Sequence, residues 1–276
     1  MTDAPYDREN FCYRHPDRQS FILCQRCGRT ICTSCQTQAA VGVHCPECVR
    51  EAKQNAPKRA PINIRAARAM RGNSGQPVVT YSIIAVAVVV YLLQLLLGST
   101  LTQELVYFGP YTLTEPWRIV TSMFAHGSPI HLLFNMFSLF VLGRILEPAI
   151  GRARFAALYF ISGFGGVIAV LVLSPYTSVL GASGAIFGML AALFVIQRRL
   201  GGNTTQLLIV IGLNLVIGFF VSGISWQAHV GGLLAGAAIA FIIVRTRNVR
   251  QARLQALMIA GVAVALAVIG LVRLSI

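Results

Sequence analysis

Three short segments of this chain carry residue types suited to nucleophilic chemistry. LGASGAIFGML holds Gly181, Ser183 and Gly184 as a G-x-S-G at the start of an apolar run. Small residues of this kind are also ordinary packing material between membrane helices. A serine at a helix N-terminus, however, sits among free N–H groups and the positive end of the dipole, a setting that suits an oxyanion. A serine nucleophile needs a base, and the apolar part of the chain offers His126, His131 and His229. His229 lies in WQAHVGGLLAG, where His229, Gly232 and Gly236 line one helix face and the glycines permit close approach of a neighbour. The bland alternative is a buried histidine bonded to a carbonyl, but an ionisable residue inside a membrane span is a functional hypothesis by default. In SPIHLLFNM, Ser128 reads as an N-cap, Pro129 as the first helical residue, and His131 and Asn135 share a face at i, i+4. Both side chains can donate to a developing oxyanion; Asn135 can equally bond a neighbouring helix.

A second chemistry is written near the N-terminus. Cys12-x2-His15-x8-Cys24-x2-Cys27-x4-Cys32-x2-Cys35-x9-Cys45-x2-Cys48 supplies four ligand pairs, enough for two tetrahedral metal sites. Alternating pairs in a cross-brace would set Cys12, His15, Cys32 and Cys35 on one zinc and Cys24, Cys27, Cys45 and Cys48 on the other. His44 competes with Cys45 as a ligand. No position is left open for water, so both zinc ions are expected to be structural and none catalytic. Closely spaced cysteines favour metal over disulfides in a reducing compartment, which agrees with a cytosolic N-terminus. MTDAPYDREN, polar and mildly acidic, lacks the pattern of a secretory signal.

The elements that must position these groups follow from charge. Of 276 residues 55% are hydrophobic and 12% charged, but residues 1–76 hold all seven Cys, twelve of the 23 Lys+Arg and six of the nine acidic residues. No charged residue occurs between Arg71 and Glu104, Arg118 and Arg144, Arg154 and Arg198, or Arg199 and Arg245. Gaps this long accommodate spans of ~20 residues. Seven helices are expected, near 77–97, 130–148, 154–173, 181–198, 205–222, 227–244 and 255–274, because runs this apolar can satisfy their backbone in lipid only as helices. With the N-terminus inside, most cations of the apolar half, from Arg144 to Arg253, fall on the cytoplasmic side. That economy accounts for the net charge of +14 without nucleic acid. His131, Ser183 and His229 then all lie within the first turn of spans that run from outside to inside, at one depth. Residues 98–129, with Tyr107, Phe108, Tyr111, Trp117 and Phe124, are expected to form a loop lying in the membrane interface.

PWRIVTSMFAHGSPIHLLFNM, GASGAIFGML and AHVGGLLAG, in this order and on these spans, resemble the rhomboid protease family over about residues 77–245. The resemblance implies a six-helix core in which Ser183 is the nucleophile, His229 the base, and His131, Asn135 and the Ser183 backbone N–H the oxyanion hole. It further implies that Phe187 stacks on His229, that Trp117 and Arg118 belong to the outer-loop signature, that His126 steadies that loop, and that Phe219 and Phe220 form part of a substrate gate. The Cys/His order resembles a B-box-type finger. The expected organisation is thus a zinc-binding finger over 1–50, a basic linker over 51–76, a catalytic core over 77–245 and an extra C-terminal transmembrane helix within 246–276. The expected activity is intramembrane serine proteolysis of single-span membrane substrates, with a membrane scaffold recruiting partners through the finger as the alternative. No Asp or Glu follows Glu147, so a Ser-His dyad is expected. Because loss of the orienting Asp costs ~10⁴ in a triad enzyme, turnover should be slow. The expected location is a plasma membrane, with the C-terminus outside and anionic lipid beside the linker; Arg over Lys, 21 to 2, points toward a bacterium.

Overall fold

A computed structural model of the chain describes residues 10–39, 42–55, 76–221, 223–246 and 248–276. Most of the expected linker, 56–75, lies outside the described residues. The chain forms two compact units, Met1–Arg59 and Ala60–Ile276.

The first unit is built on two small antiparallel ladders. Strands β1 (Phe11–Cys12) and β2 (His15–Gln19) pair, as do β3 (Thr37–Gln38) and β4 (Val43–His44), and helix α1 (Pro46–Gln54) follows. Its interior is made of Cys12, Cys24, Cys32, Cys35, Cys45 and Cys48 with Ile31. So few apolar side chains cannot hold a domain of this size alone, and small domains of this kind depend on a metal or disulfides.

The second unit is helical: α2 (Val78–Leu105), the short α3 (Arg118–Thr121), α4 (Pro129–Ile150), α5 (Arg152–Leu173), α6 (Ser183–Arg199), α7 (Thr205–Phe220), α8 (Trp226–Arg245) and α9 (Ala252–Ser275). Among the described residues α2, α4, α5, α8 and α9 are long and apolar enough to cross a membrane. The protein is a polytopic all-α membrane protein, with a six-helix core and α9 as its additional C-terminal helix. The expected first span ends where α2 breaks, at Gly98 with φ +71° and ψ −153°.

At 17 and 16 residues, α6 and α7 fall short of the other spans. For α6 the reason is its central position. Every residue from Gly184 to Leu193 is buried against neighbouring helices. Non-helical backbone at membrane depth is tolerated where protein covers it, and the segment leading into α6 is so covered. Tyr107 and Val179 exchange backbone bonds of 3.0 and 2.9 Å, Gly109 N–H donates to the Pro175 carbonyl, and Gly181 N–H donates to the Ser122 carbonyl at 2.8 Å. Lipid-facing apolar residues accumulate instead on the outer helices, such as Leu92, Leu95 and Leu96 of α2 and Phe134 and Phe137 of α4.

Two buried polar contacts tie the bundle together. The Val79 and Thr80 N–H groups donate to the Glu147 carboxylate at 2.9 and 2.8 Å, and the Thr80 hydroxyl adds a bond of 2.7 Å. A carboxylate from α4 thereby satisfies orphan donors of the first turn of α2. At α9, Gln255 donates to the Thr246 carbonyl and hydroxyl at 3.0 and 2.8 Å and accepts from Arg154, which joins α9 to the adjacent ends of α8 and α5.

The outer segment 98–129 is less uniform than its aromatic content implies. Trp117 and Tyr111 are exposed, but Tyr107 is fully buried and Phe124 packs on the core, because the chain here folds back as α3 and a short 3-10 turn. Arg118 is buried, pairs with Glu115 and with Glu104 at 3.1 Å, and donates to the carbonyls of Gln103 and Val106. These bonds fix the loop ahead of α4.

Candidate functional site

Ser183 is the first residue of α6, and the turn that delivers it is made by Gly181 at φ +119°. A side chain at Gly181 would be strained by that φ and would also have no room. A Cβ there would lie 2.7 Å from both Cε1 and Nε2 of His131 and 3.6 Å from Nδ2 of Asn135. The imidazole and the amide therefore rest against the backbone two residues ahead of the serine. His131 is placed by its helix start: Ser128 Oγ accepts from the His131 N–H at 3.2 Å and Pro129 opens α4. Asn135, one turn on, is buried, and its Nδ2 has no hydrogen-bond partner among the described residues.

His229 enters from α8, whose first turn is capped by Ser225 Oγ accepting from Ala228 N–H. Its ring stacks on Phe187, with centroids 4.1 Å apart and planes at 14°. Phe187 lies one turn below Ser183 on the same face. Nδ1 of His229 is buried without a hydrogen-bond partner, and the α carbon side of Gly218 on α7 faces it. Among the described residues no hydrogen-bond partner meets its Nδ1, so the ring is oriented by stacking and packing.

The approach of α6 to α8 depends on glycines. A Cβ on Gly232 would lie 1.9 Å from the Gly184 carbonyl oxygen, and one on Gly236 would lie 2.3 Å from the Gly188 Cα. On the far side of α8, Gly231 meets Gly165 of α5 in the same way. Backbones this close bring the first turns of α6 and α8 together.

His126 sits behind His131, with ring centroids 5.1 Å apart. It is buried; its Nδ1 meets the Phe124 carbonyl at 3.0 Å. Its backbone is gripped by Gln94 of α2, which accepts from the His126 N–H at 3.0 Å and donates to its carbonyl at 3.3 Å. Gln94 and Glu147 escaped the sequence reading. A single amide and a single carboxylate in apolar runs were the signals available, since polar residues in a span ask for a partner. Phe219 and Phe220 are both exposed at the end of α7, with Phe219 stacked on Trp226 at 4.6 Å.

In the first unit the structure gathers Cys12, His15, Cys32 and Cys35 into one group and Cys24, Cys27, Cys45 and Cys48 into a second, with ligand atoms in each within 4.8 Å of one another. His15 Nδ1 lies 3.7, 3.4 and 3.3 Å from the sulfurs of Cys12, Cys32 and Cys35. Cys27 and Cys45 sulfurs are 3.7 Å apart. A tetrahedral ion with bonds of about 2.0–2.3 Å has ligand–ligand edges of about 3.3–3.8 Å, so these spacings fit a zinc-sized cation. Cys45, and not His44, belongs to the second group. Backbone donors prepare the sulfurs: Cys24 accepts from Cys45 N–H at 3.2 Å, and Cys45 from Cys48 N–H at 3.4 Å. Burial opposes ionisation of Cys24, yet donors from Cys45, Arg26 and Cys27 hold it down at about 6, whereas burial and its neighbouring sulfurs push Cys48 up to about 12. Four crowded thiols cannot all ionise without a cation among them.

A sequence profile of the Rhomboid domain matches residues 113–246, from the outer loop to the end of α8. Rhomboid protease GluP of Bacillus subtilis is 39% identical over 174 residues, 59% of this chain and 34% of that protein. RHOMBOID-like protein 6, mitochondrial, of Arabidopsis thaliana is 37% identical over 137 residues, 47% of this chain and 44% of that protein. The chain thus spans less than half the length of these two relatives. It covers 71% of YdcA of Bacillus subtilis, which also carries the rhomboid name, at 35% identity over 142 residues. The profile spans the helices that hold Ser183, His131, Asn135 and His229, and with a relative covered this fully the chain belongs to the rhomboid family.

Proposed function

We propose that the protein is an intramembrane serine endopeptidase whose Ser183 and His229 act as a dyad on transmembrane-helix substrates. The observation that carries the reading is the convergence of the first turns of α6 and α8. Ser183 opens α6, His229 stacks on Phe187 one turn below it, and glycine-to-backbone contacts hold the two helices together. In this reading His229 takes the proton of Ser183 Oγ as the oxygen attacks a peptide carbonyl carbon. The resulting oxyanion is met by Asn135 Nδ2, the His131 imidazole and the Ser183 N–H, a reading supported by the packing of the His131 and Asn135 side chains against Gly181, two residues before Ser183. Collapse of the tetrahedral species expels the amine, which leaves with the proton from His229. Water then hydrolyses the acyl-enzyme, with His229 again as base. Each donor of such a hole is worth about 3 kcal/mol in other enzymes. With no carboxylate on Nδ1, the imidazolium that forms is stabilised less than in a triad, which favours slow turnover.

The first unit reads as a B-box-like finger over 1–50 with two structural zinc ions, on Cys12, His15, Cys32 and Cys35 and on Cys24, Cys27, Cys45 and Cys48. Residues 51–76 read as a basic linker, 77–245 as the catalytic core and 246–276 as the region of the additional helix. Cations near Arg144, Arg152, Arg198 and Arg245 favour a cytoplasmic N-terminus and an external C-terminus in a bacterial plasma membrane.

The test is cleavage of a reporter with one unstable transmembrane helix by purified wild type, Ser183→Ala and His229→Ala in liposomes. Cleavage by the wild type alone is expected. Equal residual cleavage in either variant would sink the dyad, and substrates that bind but stay intact with the wild type would favour a membrane scaffold.

A further inference from the structure

The finger spends its apolar residues in an unusual way. Its interior is sulfur and Ile31, while Phe21, Ile22 and Leu23 stand 74%, 42% and 49% exposed, three in a row on the surface. A continuous exposed apolar run of this kind marks an interaction site. Its backbone is fixed rather than loose. Ile22 accepts from Ile31 N–H at 2.8 Å, Cys24 N–H donates to Arg29 at 2.9 Å, and Ser20 Oγ donates to the Ile31 carbonyl at 2.7 Å. Cys24 and Cys32 bracket this pairing, so the two candidate metal groups hold the run in place and little ordering is left for binding to impose.

We propose that this run docks the finger on the bilayer, with Phe21, Ile22 and Leu23 inserted at the headgroup boundary of an anionic leaflet. Two features select lipid over a protein occupant. The finger is joined to the membrane-crossing α2 by residues 56–77, a stretch that cannot exceed about 75 Å even fully extended, so a bilayer is present at high effective concentration throughout. That stretch also carries Lys58, Arg59, Arg65, Arg68 and Arg71 and no acidic residue, and Arg18 and Arg26 flank the apolar run in sequence. Apolar residues accompanied by cations are the composition of an interfacial anchor, and basic residues beside a span are drawn to anionic lipid.

The test places Trp at position 21 of the full chain, Phe21→Trp, in liposomes of phosphatidylglycerol and phosphatidylcholine with or without brominated acyl chains. The wild type, measured alongside, supplies the background from Trp117 and Trp226 for subtraction. The added emission is expected to fall at least twofold in brominated vesicles. Adding Ile22→Glu and Leu23→Glu should abolish that quenching while metal content stays at the level of the wild type. Equal emission in brominated and plain vesicles would overturn the proposal. So would unquenched emission with energy transfer between fingers, which would assign the run to a second copy. Undiminished quenching in phosphatidylcholine alone would overturn the part assigned to charge.

Discussion

Gly232→Ala tests the link between helix packing and chemistry. The new Cβ would lie 1.9 Å from the Gly184 carbonyl oxygen, 2.6 Å from its carbon and 3.0 Å from its Cα. The obstacle is backbone, so no rotamer change relieves it, and clearing even 3.0 Å from the oxygen requires α6 and α8 to part by about 1.1 Å. Ser183 immediately precedes Gly184, and His229 lies one turn before Gly232 on the same face, so the separation is passed to the two groups. A misplacement of about 1 Å costs ~10²-fold in rate, whereas overpacking of a core costs about 1–3 kcal/mol of stability, leaving the fold largely intact. Single-turnover cleavage of a reporter in proteoliposomes should therefore fall ~10²-fold, with helical content and elution volume unchanged. Gly261→Ala in α9 is the control, because a Cβ there meets nothing within 4 Å. It should cleave within about twofold of wild type, since Gly-to-Ala in an open helix position is favourable by about 1 kcal/mol. If Gly232→Ala also cleaved within a few-fold of wild type, the close approach of α6 and α8 would not be what aligns the dyad.

Phe187→Ala should slow cleavage by about two- to tenfold through kcat, since an aromatic contact is worth about 0.5–1.5 kcal/mol, and Phe187→Tyr should recover most of the loss; an unchanged kcat would remove the ring from the argument. Glu147→Ala leaves the Val79 and Thr80 donors without their partner. It should cost about 2–3 kcal/mol in reversible unfolding of the membrane unit, while Leu133→Ala on the exposed face of α4 should cost far less. Stripping metal with a strong chelator should render residues 10–55 sensitive to protease and leave α2 to α9 resistant; native metal content is expected at two zinc ions per chain by mass spectrometry, and Cys35→Ser should lose one.

The helices of the second unit were legible because charge is largely excluded from their interiors and collects at their ends, a pattern the lipid itself enforces. Both candidate metal groups were legible too, since paired donors at x2 spacing leave few ways to close a tetrahedron. What the chain's pattern could not convey was the partner of each isolated polar group. Gln94 and His126 are 32 residues apart, Glu147 and Thr80 are 67, and Arg154 and Gln255 are 101. Nothing in local periodicity encodes such pairings, which depend on which helices become neighbours. The aromatics of 98–129 misled for a similar reason. Tyr107 looks like an interfacial side chain by composition, but its backbone pairs with Val179 and draws it fully inside.

These long-range pairs share a consequence for the site. His131 and Ser183 each depend on contacts from outside their own helices. The loop ahead of His131 is pinned by Gln94 from α2 and by the buried Arg118, and the turn ahead of Ser183 is pinned by Ser122 from that same loop. A backbone bond from Gly181 N–H to the Ser122 carbonyl therefore connects the loop ahead of His131 to the turn ahead of Ser183. If the proposed dyad operates here, its polar groups are held in place before substrate arrives, and fixed dipoles stabilise developing charge most strongly under that condition. Its geometry should accordingly be as sensitive to the outer loop as to the helices that carry Ser183 and His229.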